Sequence, residues 1–497
     1  MGVERNLPLV RERKQAILAG DPERVAEQKK LGKLTARERI GLLLDEASFV
    51  ELDVLAGRDG ASGVVTGYGL IDGRPAYVYA QDFTSFSGAV GAEQARKIIK
   101  VMDLAAKTGS PIIAMFDSMG ARVKEGIDAV DAYAQIAAKT AKVSGVIPQI
   151  ALVLGQCAAS AAMIATLNDI VIVADDGRLF VNGPQVVSAN TGETVDAKAL
   201  GGPEACAKNG ICHLTASSDA EAIALSRRVL KMLPANNIED APIDFTQVDD
   251  INRLTPEFET IDTVEDMNAV INSIADEGSV IELSPAFAPE MITALGSIGG
   301  RTVGFVATQP AINGGALTCL GSRKAARFIR MLDCFNISVV TICDSTGLAV
   351  HKASEQGELA KATAQLTCAL NDVSTPRVAL VTGNAIAASF MVMVSKCSCD
   401  MVFAWPGSVI SPLASKAAVQ VLMFDRLKGA ADPVKVRAEL EKEYEDNVAD
   451  CVNAAKQGYV DDVIEPSQTR QMIASALEML SSKRDSRLPK KHGNLPL

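Results

Sequence analysis

The chain repeats itself once, and that repeat constrains its fold more than any other feature. Lys97-Ile-Ile-Lys-Val-Met-Asp103, followed by Pro111-Ile-Ile-Ala-Met-Phe-Asp-Ser118, is echoed by Arg327-Phe-Ile-Arg-Met-Leu-Asp333, followed by Ser338-Val-Val-Thr-Ile-Cys-Asp-Ser345. A second landmark, Gly155-Gln-Cys-Ala-Ala-Ser160, is echoed by Gly383-Asn-Ala-Ile-Ala-Ala388. The step from Asp117 to Asp344 and the step from Gly155 to Gly383 agree to within a single position. A near-constant offset at two separate landmarks means duplication of a whole domain, because the unit is far longer than a solenoid repeat.

Within each copy short β-branched runs alternate with Ala-rich helical stretches. Ala76-Tyr-Val-Tyr-Ala80, Pro111–Phe116, Ile150–Leu154 and Ile170–Val173 read as strands, and strands interleaved with helices of 10–20 residues imply βαβ units. The fold class is therefore α/β, in two tandem domains. The sequence places them at 1–245 and 246–497, joined in the Pro234 to Pro256 stretch where Pro, Asn and Asp cluster. Ahead of the first copy, residues 8–45 are charge-rich and helical, with Thr35-Ala-Arg-Glu38 in the form of a capping box. Val143–Asn168 carries no formal charge and is long enough to span a bilayer, but its Ser144, Pro148, Gln149, Gly155, Gln156 and Ser160 favour a buried strand, turn and helix. The N-terminus shows no signal-peptide apolar region.

Composition then narrows the chemistry. Only His213, His351 and His492 occur among 497 residues, which argues against a zinc enzyme or a His-based triad, and no metal site is expected. A net charge of −11 argues against a broad nucleic-acid-binding face while leaving room for a local anion site. The ten cysteines form no Cys-x-x-Cys pair and lie mostly in apolar text, as expected for reduced, buried thiols in a cytoplasmic protein.

In each copy an apolar strand runs into a turn of tiny residues, Gly155–Ser160 or Gly383–Ala388, and then into a helix. A helix N-terminus offers free N–H groups and partial positive charge, so such a turn can hold a developing oxyanion without an ionisable side chain. The same small residues also serve tight helix–sheet packing. A second tiny-residue loop precedes each Asp-Ser turn, Phe83–Gly91 in one copy and Asn313–Leu317 in the other. Asp117 and Asp344 read either as general bases or as caps of the turns that follow. Ser118 and Ser345 have no recurrent His partner.

Further segments carry a family resemblance: Lys33-Leu-Thr-Ala-Arg-Glu-Arg-Ile40, Asp117-Ser-Met-Gly-Ala-Arg122 with Glu125-Gly126, Ser144-Gly-Val-Ile-Pro-Gln149, Ala307-Thr-Gln-Pro310, Lys324-Ala-Ala-Arg-Phe328, Asp333-Cys-Phe-Asn-Ile337, Gly458-Tyr-Val-Asp-Asp-Val-Ile464 and Lys490–Leu497. Across essentially its whole length the chain resembles the biotin-dependent acyl-CoA carboxyltransferases, the β subunits of acyl-CoA carboxylases and the α subunits of methylmalonyl-CoA and glutaconyl-CoA decarboxylases. The resemblance implies two tandem crotonase-like (ClpP/crotonase) domains, and a base that arrives on the cofactor, which suits a chain so poor in histidine. It implies an enolate oxyanion hole at Ala159 and Ser160, a hole for the biotin ureido oxygen at Ala387 and Ala388, and cofactor contacts at Phe86, Ser87, Gly88, Gly120, Ala121, Arg122 and Gly347. The implied substrate is a short acyl-CoA of acetyl, propionyl or glutaconyl type. Biotin would come on a separate biotin carboxyl carrier protein, with a biotin carboxylase or a membrane decarboxylase subunit as further partner and a homohexamer, a trimer of dimers, as the assembly.

The chain also departs from the family pattern. Gly-Gly is usual where Ala159-Ser160 and Ala387-Ala388 stand, and a Pro-Gly-Phe-rich segment is usual where Ser345–Glu355 stands. Those departures leave two other readings open: a crotonase-type hydratase or hydrolase working without biotin, and a catalytically weakened scaffold subunit.

Overall fold

The repeated strand text folds into two sheets of the same connectivity. In the computed structural model the described residues are 2–56, 62–246, 249–261, 263–428, 430, 432–485, 489–491 and 493–494, and the chain divides into two units between Glu239 and Asp240. In the first unit the strands are β1 (Val50–Leu52), β2 (Val64–Ile71), β3 (Arg74–Gln81), β4 (Ile112–Ser118), β5 (Gln149–Ala158), β6 (Ile170–Ala174), β7 (Arg178–Phe180) and β8 (Leu214–Ala216). In the second they are β9 (Ile281–Glu282), β10 (Met291–Ile298), β11 (Arg301–Thr308), β12 (Ser338–Ser345), β13 (Arg377–Ile386), β14 (Met401–Ala404), β15 (Val409–Ser411) and β16 (Asp462–Val463). The first sheet runs β1-β2-β3-β4-β5-β6-β8 with β7 beside β5, and the second runs β9-β10-β11-β12-β13-β14-β16 with β15 beside β13. Each strand thus keeps the neighbours of its counterpart in the other unit. The first three strands of each sheet pair antiparallel and the rest parallel.

Parallel strands covered on both faces need near-continuous apolar text, and β4 and β12 are buried at every residue. The crossover helix Ala92–Thr108 turns Ala95, Ile98, Val101, Met102 and Ala105 inward, a helical stripe that packs onto Tyr79, Phe116 and Val153. In the second unit Phe305, Val378 and Trp405 form the corresponding core, with the Trp405 indole N–H donating to Thr469 Oγ1 at 2.8 Å. The capping box forms, the Thr35 N–H donating to Glu38 Oε2 at 2.9 Å and the Glu38 N–H to Thr35 Oγ1 at 3.3 Å.

Three sequence expectations are corrected. The stretches Gly155–Ser160 and Gly383–Ala388 are mostly strand: β5 continues to Ala158 and β13 to Ile386 because β7 and β15 pair with them there. Each turn contracts to one residue, Ala159 or Ala387. The helix that follows is α-helical at Ser160–Leu167 but a π-helix at Phe390–Val394. No cysteine is disulfide-bonded, yet Cys334 and Cys397 are exposed rather than buried. His213 extends the sheet edge, its Nδ1 accepting from the Val171 N–H at 3.0 Å; His351 is exposed, and His492 lies outside the described residues. Among the described residues no helix is long and apolar enough to cross a membrane.

The duplication extends to two buried lysines. Lys97 donates to Ser62 Oγ at 2.9 Å and the Val64 carbonyl at 2.8 Å. Lys324, which the offset relating Asp117 to Asp344 and the two helix starts pairs with Lys97 in place of the Arg327 of the sequence echo, donates to the Ser284 and Phe287 carbonyls at 2.9 and 2.8 Å. Burial pushes the Lys324 ammonium down to about 8, against the pull of Glu282 and Glu290, whereas an unfolded lysine holds its proton to about 10.4. Between those values the unfolded chain binds more protons, so this group makes stability rise with pH. Denaturant titrations from pH 8 to pH 10 should therefore show the difference in unfolding free energy between wild type and Lys324→Met moving in favour of wild type; a pH-independent difference would contradict a depressed Lys324.

Candidate active site

Both turns leave the carboxyl ends of neighbouring parallel strands, β4 beside β5 with Ser118 opposite Cys157, and β12 beside β13 with Ser345 opposite Ala385. In α/β sheets this edge is where ligands bind. Ala159 sits at φ 55°, ψ −126° and Ala387 at φ 50°, a region that favours glycine; holding a methyl-bearing residue there costs on the order of 1–3 kcal/mol. The sheet holds both residues in place. The Ala159 N–H donates to the Phe180 carbonyl on β7 at 3.1 Å, and the Ala387 N–H to the Ser411 carbonyl on β15 at 2.9 Å. Those two donors are spent. The first N–H groups beyond each turn, Ser160 and Ala161 in one unit and Ala388 and Ser389 in the other, have no acceptor among the described residues.

Beneath each turn lies a buried aspartate. A Cβ on Gly155 would fall 1.9 Å from Asp117 Oδ1, and one on Gly383 2.4 Å from Asp344 Oδ2, so each glycine is the opening that admits a carboxylate into the sheet. The Asp117 N–H donates to Gln81 Oε1 at 3.0 Å, and in the second copy the Asp344 N–H donates to Thr308 Oγ1 at 2.8 Å. The side chains are satisfied differently. Asp117 Oδ2 accepts from Arg39 Nη1 at 2.8 Å; Arg39 Nε donates to Asp219 Oδ2 at 2.7 Å and Nη2 to the Leu154 carbonyl at 3.2 Å. Burial pushes the Asp117 carboxyl up while Arg39 opposes it. Arg39 stays firmly protonated, because Asp117 and Asp219 outweigh the desolvation that its burial costs. Asp344 Oδ1 instead accepts from the Asn384 N–H at 2.8 Å and Asn384 Nδ2 at 3.1 Å.

The second loop closes against the Asp-Ser turn. Phe86, Ser87 and Gly88 all have positive φ, as do Asn313, Gly314 and Gly315. This left-handed coil lets the Met119 N–H reach the Ser87 carbonyl at 3.0 Å, the Val90 N–H the Gly120 carbonyl at 2.9 Å and the Arg122 N–H the Val90 carbonyl at 2.8 Å. The second unit repeats all three bonds, from Thr346 to Gly314, Leu317 to Gly347 and Ala349 to Leu317. Phe86, Ser87, Gly88, Gly120, Ala121 and Arg122 are thereby brought together, and Gly347 lies with its Cβ position 3.4 Å from the Ile386 carbonyl that precedes the other turn. Arg122 is committed to the loop: Nε donates to the Ala89 carbonyl at 3.3 Å and Nη2 to the Ser62 carbonyl at 3.2 Å, with the guanidinium 4.5 Å above the Phe86 ring. Glu125 Oε2 accepts from the Ala92 N–H at 3.0 Å and so caps the helix Ala92–Thr108.

Residues 27–495 match the carboxyl transferase domain family. The chain belongs to that family. It is 39% identical to the propionyl-CoA carboxylase beta chain of Saccharopolyspora erythraea, over 98% of this chain and 95% of the relative. It is 37% identical to methylmalonyl-CoA decarboxylase subunit alpha of Propionigenium modestum, over 98% of each chain. The solved structure of transcarboxylase 12S, a hexamer assembly with methylmalonyl-coenzyme A and methylmalonic acid bound, superposes with a TM-score of 0.96 at 36% identity, covering 100% of this chain and 99% of that one. The two-domain crotonase-like α/β fold is therefore established.

Within this carboxyl transferase fold the residues missed from sequence are those under the turns: Arg39, Gln81, Asp219 and Asn384. A signal for Arg39 exists, since Ala36, Arg39, Ile40 and Leu43 form the buried stripe of the helix Ala36–Leu43, and a charge on such a stripe needs a buried partner. Removing one member of that pair should cost about 3–5 kcal/mol. Chemical denaturation of Arg39→Met should show that loss, and Asp117→Asn added to it should cost less than the sum of the two single changes. Gly155→Ala should lower stability and turnover together, whereas Gly41→Ala, where a Cβ meets nothing within 4 Å, should be neutral or stabilising by up to about 1 kcal/mol.

Proposed function

We propose that the chain is a carboxyltransferase subunit that moves a carboxyl group between biotin on a separate carrier protein and a short acyl-CoA of acetyl, propionyl or glutaconyl type. The observation that supports this reading is the pair of strained turns at the carboxyl ends of β5 and β13, each followed by helical N–H groups, Ser160 and Ala388 first, that have no acceptor among the described residues. An N–H fixed in advance stabilises charge that develops on oxygen without reorganising as the reaction proceeds. Ser160 holds the thioester oxygen as the α-carbon becomes nucleophilic. Ala388 holds the ureido oxygen, and the residues around it fit a flat, uncharged ring: Ala387 and Ala388 carry only methyl groups, and Gly347 brings only backbone beside Ile386. Biotin, when bound, supplies the carboxyl group and the base.

Phe86–Gly88 and Gly120–Arg122 receive the coenzyme A portion, the half-exposed Phe86 ring offering an apolar face backed by Arg122. The partners in this reading are a biotin carboxyl carrier protein and a biotin carboxylase or membrane decarboxylase subunit, around a cytoplasmic homohexamer of the kind seen for transcarboxylase 12S. A side-chain base is disfavoured, because Asp117 is engaged by Arg39 and Asp344 by Asn384.

Incubation of the purified protein with malonyl-, methylmalonyl- or glutaconyl-CoA and free biotin tests the reading. Biotin-dependent loss of the carboxyl group from at least one thioester is the expected result. Hydration or hydrolysis of a thioester at the same rate with and without biotin would overturn it.

A further inference from the structure

The helix that follows each turn ends with the same two carbonyls to be satisfied, and the two units satisfy them from opposite directions. In the first unit Asn168, just past the helix, donates through Nδ2 to the Ile164 and Ala165 carbonyls at 2.9 and 3.2 Å. The equivalent carbonyls of the second unit, at the offset that relates Gly155 to Gly383, are those of Val392 and Met393. They accept from Arg377 Nη2 at 3.4 and 2.7 Å, while Nη1 donates to the Ser398 and Leu370 carbonyls at 3.0 and 3.5 Å. Lys396 occupies the place of Asn168 and pairs with Asp461 instead.

Arg377 is the first residue of β13, the strand whose far end carries the turn. The helix therefore runs back from Ala387 along its own strand and is pinned at the strand's base. The pin is a fully buried guanidinium whose acceptors are carbonyls; the Asp400 carboxylate takes the Arg377 backbone N–H rather than its side chain. A cation is favourable at helix C-terminal carbonyls, and the rigid guanidinium fork fixes where those carbonyls lie. Thr341 Oγ1 on β12 also donates to the Met393 carbonyl, at 3.0 Å. Held this way the helix takes π spacing, with the Ser395 N–H donating to the Phe390 carbonyl at 3.0 Å, and π turns recur at functional sites. Gln149, at the base of β5, makes no such contact with its helix and donates to the Thr140 carbonyl instead.

We propose that Arg377 is a positioning residue for the second turn: by fixing the register of Phe390–Val394 it sets the direction of the Ala388 N–H. The inference rests on the reading that this turn holds the biotin ureido oxygen. Asn168 is its counterpart on the acyl-CoA side.

The full-length protein tests this through two Michaelis constants, measured for free biotin and for acyl-CoA. Arg377→Gln should lower kcat/KM for biotin by about tenfold or more, as a small misplacement of a reacting group does, and leave KM for acyl-CoA within about twofold. Arg377→Lys, which keeps the charge but loses the fork, should fall between. Asn168→Ala should show the opposite pattern, moving KM for acyl-CoA and sparing biotin. Wild-type kcat/KM for biotin in both Arg377 variants would overturn the proposal, as would proportional shifts in both Michaelis constants or failure of both variants to accumulate as folded protein, any of which would make Arg377 a structural residue only. A wild-type protein without biotin-dependent transfer would instead overturn the functional reading, and the inference with it.

Discussion

At the carboxyl edge of each sheet an aspartate carboxylate occupies space that a side chain would fill, because the residue opposite it in the next strand is glycine. That contact fixes where β5 stands relative to β4, and β13 relative to β12. It also leaves the turn beyond no latitude: the backbone must reverse within a single residue, at positive φ, to enter its helix. The strain at Ala159 and Ala387 is offset by the hydrogen bonds that β7 and β15 make to those residues. Beyond each turn the first helical N–H groups, beginning with Ser160 and Ala388, are left without an acceptor among the described residues. A loosely held turn could not present a donor with the same fixed orientation.

The two units share this frame and differ in how it is underpinned. Arg39 brings a buried cation to Asp117 from a helix that precedes the first sheet. The second unit uses Asn384 on the turn-bearing strand itself and places its buried cation, Arg377, at the base of that strand. The duplicated scaffold thus keeps its frame while the residues beneath the two turns differ. The paired lysines, paired loop coils and paired strand orders record the common origin, and the unpaired arginines record the divergence.

Much of the fold was legible because it is periodic. The repeat offset, the apolar strand runs and the Thr35–Glu38 cap are local patterns with local physical causes, and each forms as the text implies. The turns were legible in position but not in extent, since their last strand residues are held by β7 and β15, partners that arrive later in the chain. For the same reason the backbone partners of the Ala159 and Ala387 N–H groups were not legible: they look free until Phe180 and Ser411 are in place. Arg39 and Arg377 were hidden for a different reason. At the start of a strand Arg377 reads as an ordinary surface charge, and the stripe of its helix marks Arg39 as buried without naming its acceptors, which lie 78, 115 and 180 residues away.

The central claim is that these turns supply fixed backbone donors while the base comes with the cofactor, so that the scarcity of histidine reflects the chemistry. Deuterium wash-in at the α-carbon of a saturated acyl-CoA, followed by mass spectrometry in heavy water, tests that claim most directly. The account predicts no enzyme-catalysed exchange with the protein and acyl-CoA alone. Exchange under those conditions at a rate comparable to turnover, abolished by changing one carboxylate, would contradict it.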